Sequence, residues 1–254
     1  GNGRIQALRA DTLESLWISE TIPDQTLVPI TYHKGYIYGG TWNSETAMGT
    51  YYGIAVTDED PTTTSETKYV SWKLTHPGGF YWAGAYATDD YVIFGSDDGT
   101  SGCTAGTAVL YSVHPRTGEV IDTVTGLKGD LRSTVSYDQA TDRIYFSSKG
   151  GVFYQLKVNS DGTFDHSTLR SMDLGGMSTG TPLVFNGRAY LGAAGASQFS
   201  ATGHSYKVID VNTMTEIYSA SIPGYVQTSA LLSTHYYEQT GKVYVYTTYN
   251  YPPG

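Results

Sequence analysis

The stretch that decides the fold is "FNGRAYLGA" at residues 185 to 193, followed by "YKVIDVNTMTEIYSA" at 206 to 220. An aromatic strand end runs into Asn186-Gly187, a pair that accepts positive φ at a two-residue hairpin turn, and then into an apolar strand. After a loop, a second pair of strands flanks a short polar turn. The unit is therefore two successive hairpins, four strands in about fifty residues.

The same unit recurs along the chain. Its first hairpin is repeated as "YHKGYIYGG" (32 to 40), "YATDDYVIFGS" (86 to 96), "YDQATDRIYFSS" (137 to 148) and "YYEQTGKVYVYT" (236 to 247). Taking Tyr38, Ile93, Tyr145, Tyr190 and Tyr244 as equivalent, the spacings are 55, 52, 45 and 54 residues. The second hairpin recurs as "VLYSVHPRTGEVIDTV" (109 to 124), as "FYQLKVNSDGTFDHSTL" (153 to 169), and in a longer form between "YYGIAVTDED" and "KYVSWKL" (51 to 74). Four strands repeated at this period are the signature of β-propeller blades. Composition agrees: 30 Gly, 23 Tyr and only 15% charged residues suit strands and tight turns, so the class expected is all-β.

The expected layout is one propeller domain over 1–254: a half-blade at 1–20, blades at about 27–75, 80–125, 131–174 and 179–222, and a half-blade at 227–254. The opening "RIQALRADTLESLW" reads as a second hairpin without a first, and "SALLSTHYYEQTGKVYVYTTYN" as a first without a second. If the two pair, residues 4 to 18 complete the blade begun by 229 to 249 and close a ring of about five blades. The alternative is an open arc cut from a larger propeller.

The turns "RADTLESLW" (9 to 17), "VHPRTGEV" (113 to 120) and "IDVNTMTEI" (209 to 217) resemble the strand, D-x-x-T-G turn, strand pattern of pyrroloquinoline-quinone-type propellers. That resemblance implies the propeller fold over nearly the whole chain. In the family's dehydrogenases it also implies a Trp platform, calcium-binding acids, a catalytic Asp and often a vicinal Cys pair. One cysteine, Cys103, makes such a pair impossible, and no calcium-ligand set can be matched, so the resemblance points to the non-enzymatic branch with no cofactor.

Other motifs read as structure. "GMSTG" (176 to 180) has the G-x-S-x-G spacing of a nucleophile elbow at Ser178, but a strand rather than a helix follows it. "NSDGTFD" (159 to 165) resembles a calcium loop, yet position twelve is Arg170, so a hairpin turn is expected. No two of the six histidines stand at metal-ligand spacing, and no metal is assigned. Cys103 has no basic neighbour in sequence and reads as an inert small residue.

A net charge of -9 gives no broad attraction for nucleic acid or anionic lipid, and no apolar run of eighteen residues exists. The expected protein is a secreted or cell-surface binding or scaffold module, monomeric, recognising a glycan or protein ligand without inserting into a membrane. The runner-up is a carbohydrate-active propeller enzyme; a quinone-dependent dehydrogenase comes last. The ligand site is placed on the loops after the second strand of each blade and on the links between blades, because loops on a rigid scaffold carry recognition. The residues assigned to it are Trp42, His76, Tyr81, Trp82, Phe199, His204, Tyr225 and Tyr249, with no catalytic residue. Asp97, Asp98, Asp130 and Arg132 fall on the same loops.

Overall fold

The computed structural model describes residues 3–64, 66–195, 197 and 200–250. Four antiparallel sheets of four strands carry the fold. The first blade is β3 (Thr31–His33), β4 (Tyr36–Gly40), β5 (Met48–Ala55) and β7 (Trp72–Pro77), with β6 (Glu66–Lys68) in the excursion before its last strand. The second is β8 (Tyr86–Ala87), β9 (Val92–Gly95), β10 (Ala108–Val113) and β11 (Val120–Leu127). The third is β12 (Ser136–Asp138), β13 (Arg143–Ser147), β14 (Val152–Val158) and β15 (Phe164–Asp173). The fourth is β16 (Leu183–Phe185), β17 (Arg188–Ala193), β18 (Ser205–Asp210) and β19 (Thr215–Ser221). Two-stranded units flank them: β1 (Gln6–Leu8) with β2 (Ser15–Ser19), and β20 (Leu231–Ser233) with β21 (Tyr244–Tyr246).

Hairpin chemistry sets the register. Asn186 and Gly187 sit at φ 49° and 70°, as the turn between β16 and β17 requires, and Lys34-Gly35 repeats the geometry at φ 38° and 83°. The last hairpin differs. "YYEQTG" has no glycine until Gly241, so the chain winds one helical turn, α1 (Tyr237–Thr240), before Gly241 closes it at φ 66°.

The second strand of each blade is buried on both faces because a neighbouring blade covers each side. The run Val92 to Gly95 is fully buried, as is Ile144 to Ser147. Where those strands end, the blades approach most closely. A Cβ on Gly40 would lie 2.7 Å from Phe80 Cβ, one on Gly95 2.4 Å from Leu131 Cβ, and one on Gly192 2.4 Å from Val226 Cβ. Stacked rings fill the rest of the first interface, with Tyr51 and Phe94 3.7 Å apart and nearly parallel.

Each link between blades is also tied to both neighbours through its backbone. Phe80 N donates to Thr41 O at 3.0 Å on one side, and Asp97 N donates to Gly79 O at 2.9 Å on the other. Leu131 N to Ser96 O (3.0 Å) and Lys149 N to Asp130 O (2.8 Å) repeat this one blade on, and Ser178 N to Ser148 O (3.2 Å) and Ala194 N to Met177 O (2.8 Å) repeat it again. These bonds fix the height of every loop on this face.

The two half-blades do not complete one another. β2 takes β6 as a parallel neighbour, with Trp17 opposite Glu66 and Ser19 opposite Lys68, while among the described residues β20 and β21 pair only with each other. The expected strand pairing of residues 4 to 18 with 229 to 249 is therefore absent from the sheets of the described residues. The reason is local: Ile5, Trp17 and Ile22 bury against Ile37, Tyr52 and Ile54 of the adjoining blade. Glu20 Oε1 then accepts from Val70 N at 2.9 Å and draws the β6 excursion across.

Candidate functional site

The loops after β4, β9 and β13 place Trp42, Asp97 and Lys149 at one repeat position, two residues beyond the end of each strand. The links before β8 and β12 place Tyr81 and Arg132 at another, directly after the closely packed Phe80 and Leu131. Three adjacent blades thus deliver these side chains to one place.

Arg132 is the hub, and it is 6% exposed. Its Nε lies 3.2 Å from both carboxylate oxygens of Asp97, and its Nη2 lies 2.6 Å from Asp97 Oδ2 and 3.0 Å from Asp130 Oδ2. The same Nη2 pairs with Glu45 on the loop after β4. Lys149 Nζ stands 3.6 Å from both Glu45 Oε1 and Asp130 Oδ2. Three carboxylates and two cations leave one negative charge in excess. Asp130 is further held by Asp98 N, which donates to its Oδ1 at 3.0 Å.

Burial dominates the proton affinities of this group. It pushes the Asp97 carboxyl up, to about 8, against the pull of Arg132 and with added repulsion from Asp130 and Glu45. Burial raises Asp130 too, again opposed by Arg132. The Cys103 thiol, buried beside Lys149, is pushed up to about 12 mainly by desolvation. A thiol so shifted is a poor nucleophile. Ligand atoms of Glu45, Cys103 and Asp130 lie within 4.8 Å of one another, a spacing a divalent cation could use, but both carboxylates are already paired with Arg132 and Lys149.

Above the hub runs a row of aromatics. The Arg132 guanidinium carbon sits 4.6 Å from the Tyr81 ring centre and 6.0 Å from that of Trp42. Trp42 and Tyr81 are 4.8 Å apart, and Tyr81 stacks on Trp82 at 4.4 Å. All three rings are partly exposed. Trp82 holds φ at 58°, a left-handed conformation costing a bulky residue about 1–2 kcal/mol, fixed here by Gly84 N donating to Trp82 O at 2.9 Å. A cavity of about 580 Å³, lined by Lys128, Lys149, Asp173 and Met177 among glycine-rich loops, shares Lys149 with the hub.

Of the residues assigned from sequence, Trp42 and Tyr81 come together over Arg132, and Trp82 stacks on Tyr81. His76 belongs to β7 rather than a loop, and its Nδ1 shares a 2.8 Å hydrogen bond with Tyr111 Oη of the next blade. His204 is buried, with Gly195 N donating to its Nδ1 and Ser200 O accepting from its Nε2 at 2.7 Å. Tyr225 is buried with its hydroxyl 2.8 Å from Thr179 Oγ1, though the charge of Arg132 reaches it. Tyr249 is exposed near Gly224, with no ring contact to the aromatic row. Phe199 lies outside the described residues. Ser178 is fully buried and donates to Gly192 O at 2.8 Å, so its hydroxyl ties the link to β17. Sequence reasoning missed Glu45 and Lys149; Lys149 was legible as the third-blade counterpart of Trp42 and Asp97.

Comparison with known proteins bears on the architecture. No family model matches the chain, and no curated protein does. Among solved structures it is similar to BamB from Moraxella catarrhalis, with TM-score 0.62 and 16% identity over 89% of this chain. The chain is folded as a β-propeller. It spans 60% of that chain's length, and at this identity the likeness concerns fold alone. Among the described residues no helix is long and apolar enough to cross a membrane.

Proposed function

We propose that this propeller is a non-enzymatic binding scaffold, acting outside the cell or at its surface, whose loop face receives a protein ligand on the Trp42, Tyr81 and Trp82 row. The observation that carries this is the row itself: three partly exposed rings, with Tyr81 and Trp42 over a buried arginine and Trp82, in a strained backbone conformation, stacked on Tyr81. Trp, Tyr and Arg are the residues that dominate protein interfaces, and here they are already packed against one another without a partner. The cavity that shares Lys149 with the hub gives a partner's side chain somewhere to enter.

The carboxylates at the hub serve this reading better than a glycosidase. Asp97 and Asp130 are buried and committed to Arg132, so neither is free to protonate or attack a substrate. The test compares wild type with Trp42→Ala and Trp82→Ala on protein and glycan panels beside a glycosidase screen. A protein ligand whose affinity falls at least about thirtyfold in Trp82→Ala, with melting unchanged, is the expected result. Turnover of a sugar substrate, binding of glycans alone, or equal affinity in all three proteins contradicts it.

A further inference from the structure

The opposite face carries a second, smaller pocket between the first two blades. Its volume is about 160 Å³, and its walls come from three hairpin ends: His33 at the end of β3 with Lys34 after it, Thr88 and Asp89 between β8 and β9, and Pro115 and Arg116 between β10 and β11. Tyr36 and Tyr38 form the floor.

Two features of this pocket lack an explanation within the fold. Tyr38 is 1% exposed, yet among the described residues its hydroxyl has no hydrogen-bond partner. Burial holds that hydroxyl protonated, pushing it up to about 12, while the charge of Arg116 reaches it and pulls the other way. The hydroxyl lines the pocket with its hydrogen unspent on protein, so a ligand seated there can accept from it. The second feature is Arg116. Its guanidinium makes no ion pair or hydrogen bond among the described residues; only its backbone N–H is engaged, donating to His114 Nδ1 at 3.3 Å. The one acid on the wall, Asp89, is already taken by Lys34 and by His33 Nε2 at 2.7 Å. Counting Lys34 and Arg116 against Asp89 leaves one positive charge in excess, on a protein whose net charge is -9.

We propose that this pocket is an oxyanion site that takes a sulfate or phosphate group, with Arg116 as the fork, the Tyr38 and Tyr36 hydroxyls as donors from below, and Lys34 at the rim. The donors point to the ligand's class. A guanidinium, two hydroxyls and an ammonium offer more hydrogens than one carboxylate accepts, whereas a tetrahedral oxyanion accepts from several directions. The volume admits one such group. The site is independent of the loop face and stands whether or not that face binds protein.

The test is a titration of isotope-labelled protein with sodium sulfate, sodium phosphate and sodium acetate, each against sodium chloride at matched ionic strength, read by amide chemical shifts. Saturable shifts at residues 33–38, 88–90 and 114–118 with sulfate or phosphate are expected at millimolar concentrations, and the tighter of the two identifies the group. Arg116→Ala and Tyr38→Phe, the first exposed and the second isosteric, are each expected to weaken binding at least about fivefold with the melting point retained. Shifts that do not saturate beyond chloride, shifts that both variants leave unaltered, shifts centred on the Lys149 cavity, or acetate seating equally well would overturn the assignment.

Discussion

Replacing Arg132 by leucine tests whether the loop-face network is a single charged unit. Leucine fills part of the space but leaves Asp97 and Asp130, both essentially inaccessible to water, without the cation that offsets them. Removing one member of a buried charge pair destabilises by about 3–5 kcal/mol, and here two buried carboxylates and the partly exposed Glu45 lose the same partner. The pH dependence follows from Asp97. Its folded-state proton affinity is raised, to about 8, above the ordinary carboxylate value, so between about pH 4 and 8 the folded protein holds more protons than the unfolded chain. Stability therefore falls as pH rises through that window, and the fall is steeper in Arg132→Leu because the pull of the guanidinium is gone. Urea unfolding followed by tryptophan fluorescence at pH 5 and pH 8 measures both quantities. A loss of less than about 1 kcal/mol, equal at the two pH values, would refute the reasoning by showing that the carboxylates are solvated or paired elsewhere.

Further outcomes follow from the blade contacts and the thiol. Gly95→Ala is expected to destabilise by about 1–3 kcal/mol, measured by the same unfolding curves, since the new methyl would meet Leu131 Cβ at 2.4 Å. Ser178→Ala should cost about 1 kcal/mol by losing its bond to Gly192 O while leaving any ligand affinity unchanged, which a binding curve checks. Cys103 should resist a thiol reagent at pH 8 in the native protein and react promptly in urea, because its thiol is raised to about 12 only while buried.

Much of the fold could be read from the chain because its signals are local. "FNGR" and "HKGY" mark hairpin turns by the positive φ their residues accept, and the alternating strands behind them announce the four-strand unit. What the chain does not announce is the strand that β2 pairs with. A half-blade exposes an edge that any strand could cover, and nothing in "RIQALRADTLESLW" says that the excursion at 66–68 would reach it first. At the site, Trp42, Tyr81 and Trp82 were legible as aromatics on loops that strands do not need. His76, His204 and Tyr225 sat on or beside the same loops but turned inward to Tyr111, to backbone atoms of 195 and 200, and to Thr179. Loop membership gives position along the chain, whereas side-chain direction depends on the twist of blades that sequence does not measure. The charged hub was half visible: Asp97, Asp130 and Arg132 were noted on these loops, but their convergence needed the ladder of backbone bonds joining successive links.

The central claim is that the loop face around Trp82 meets the partner. Its most direct measurement is photocrosslinking in the producing cell, with benzoylphenylalanine in place of Trp82 and, separately, in place of Tyr218 on the exposed outer strand of the fourth blade. The account predicts a discrete protein adduct from position 82 and none from position 218. An adduct from 218 alone, or the same adduct from both, would contradict it.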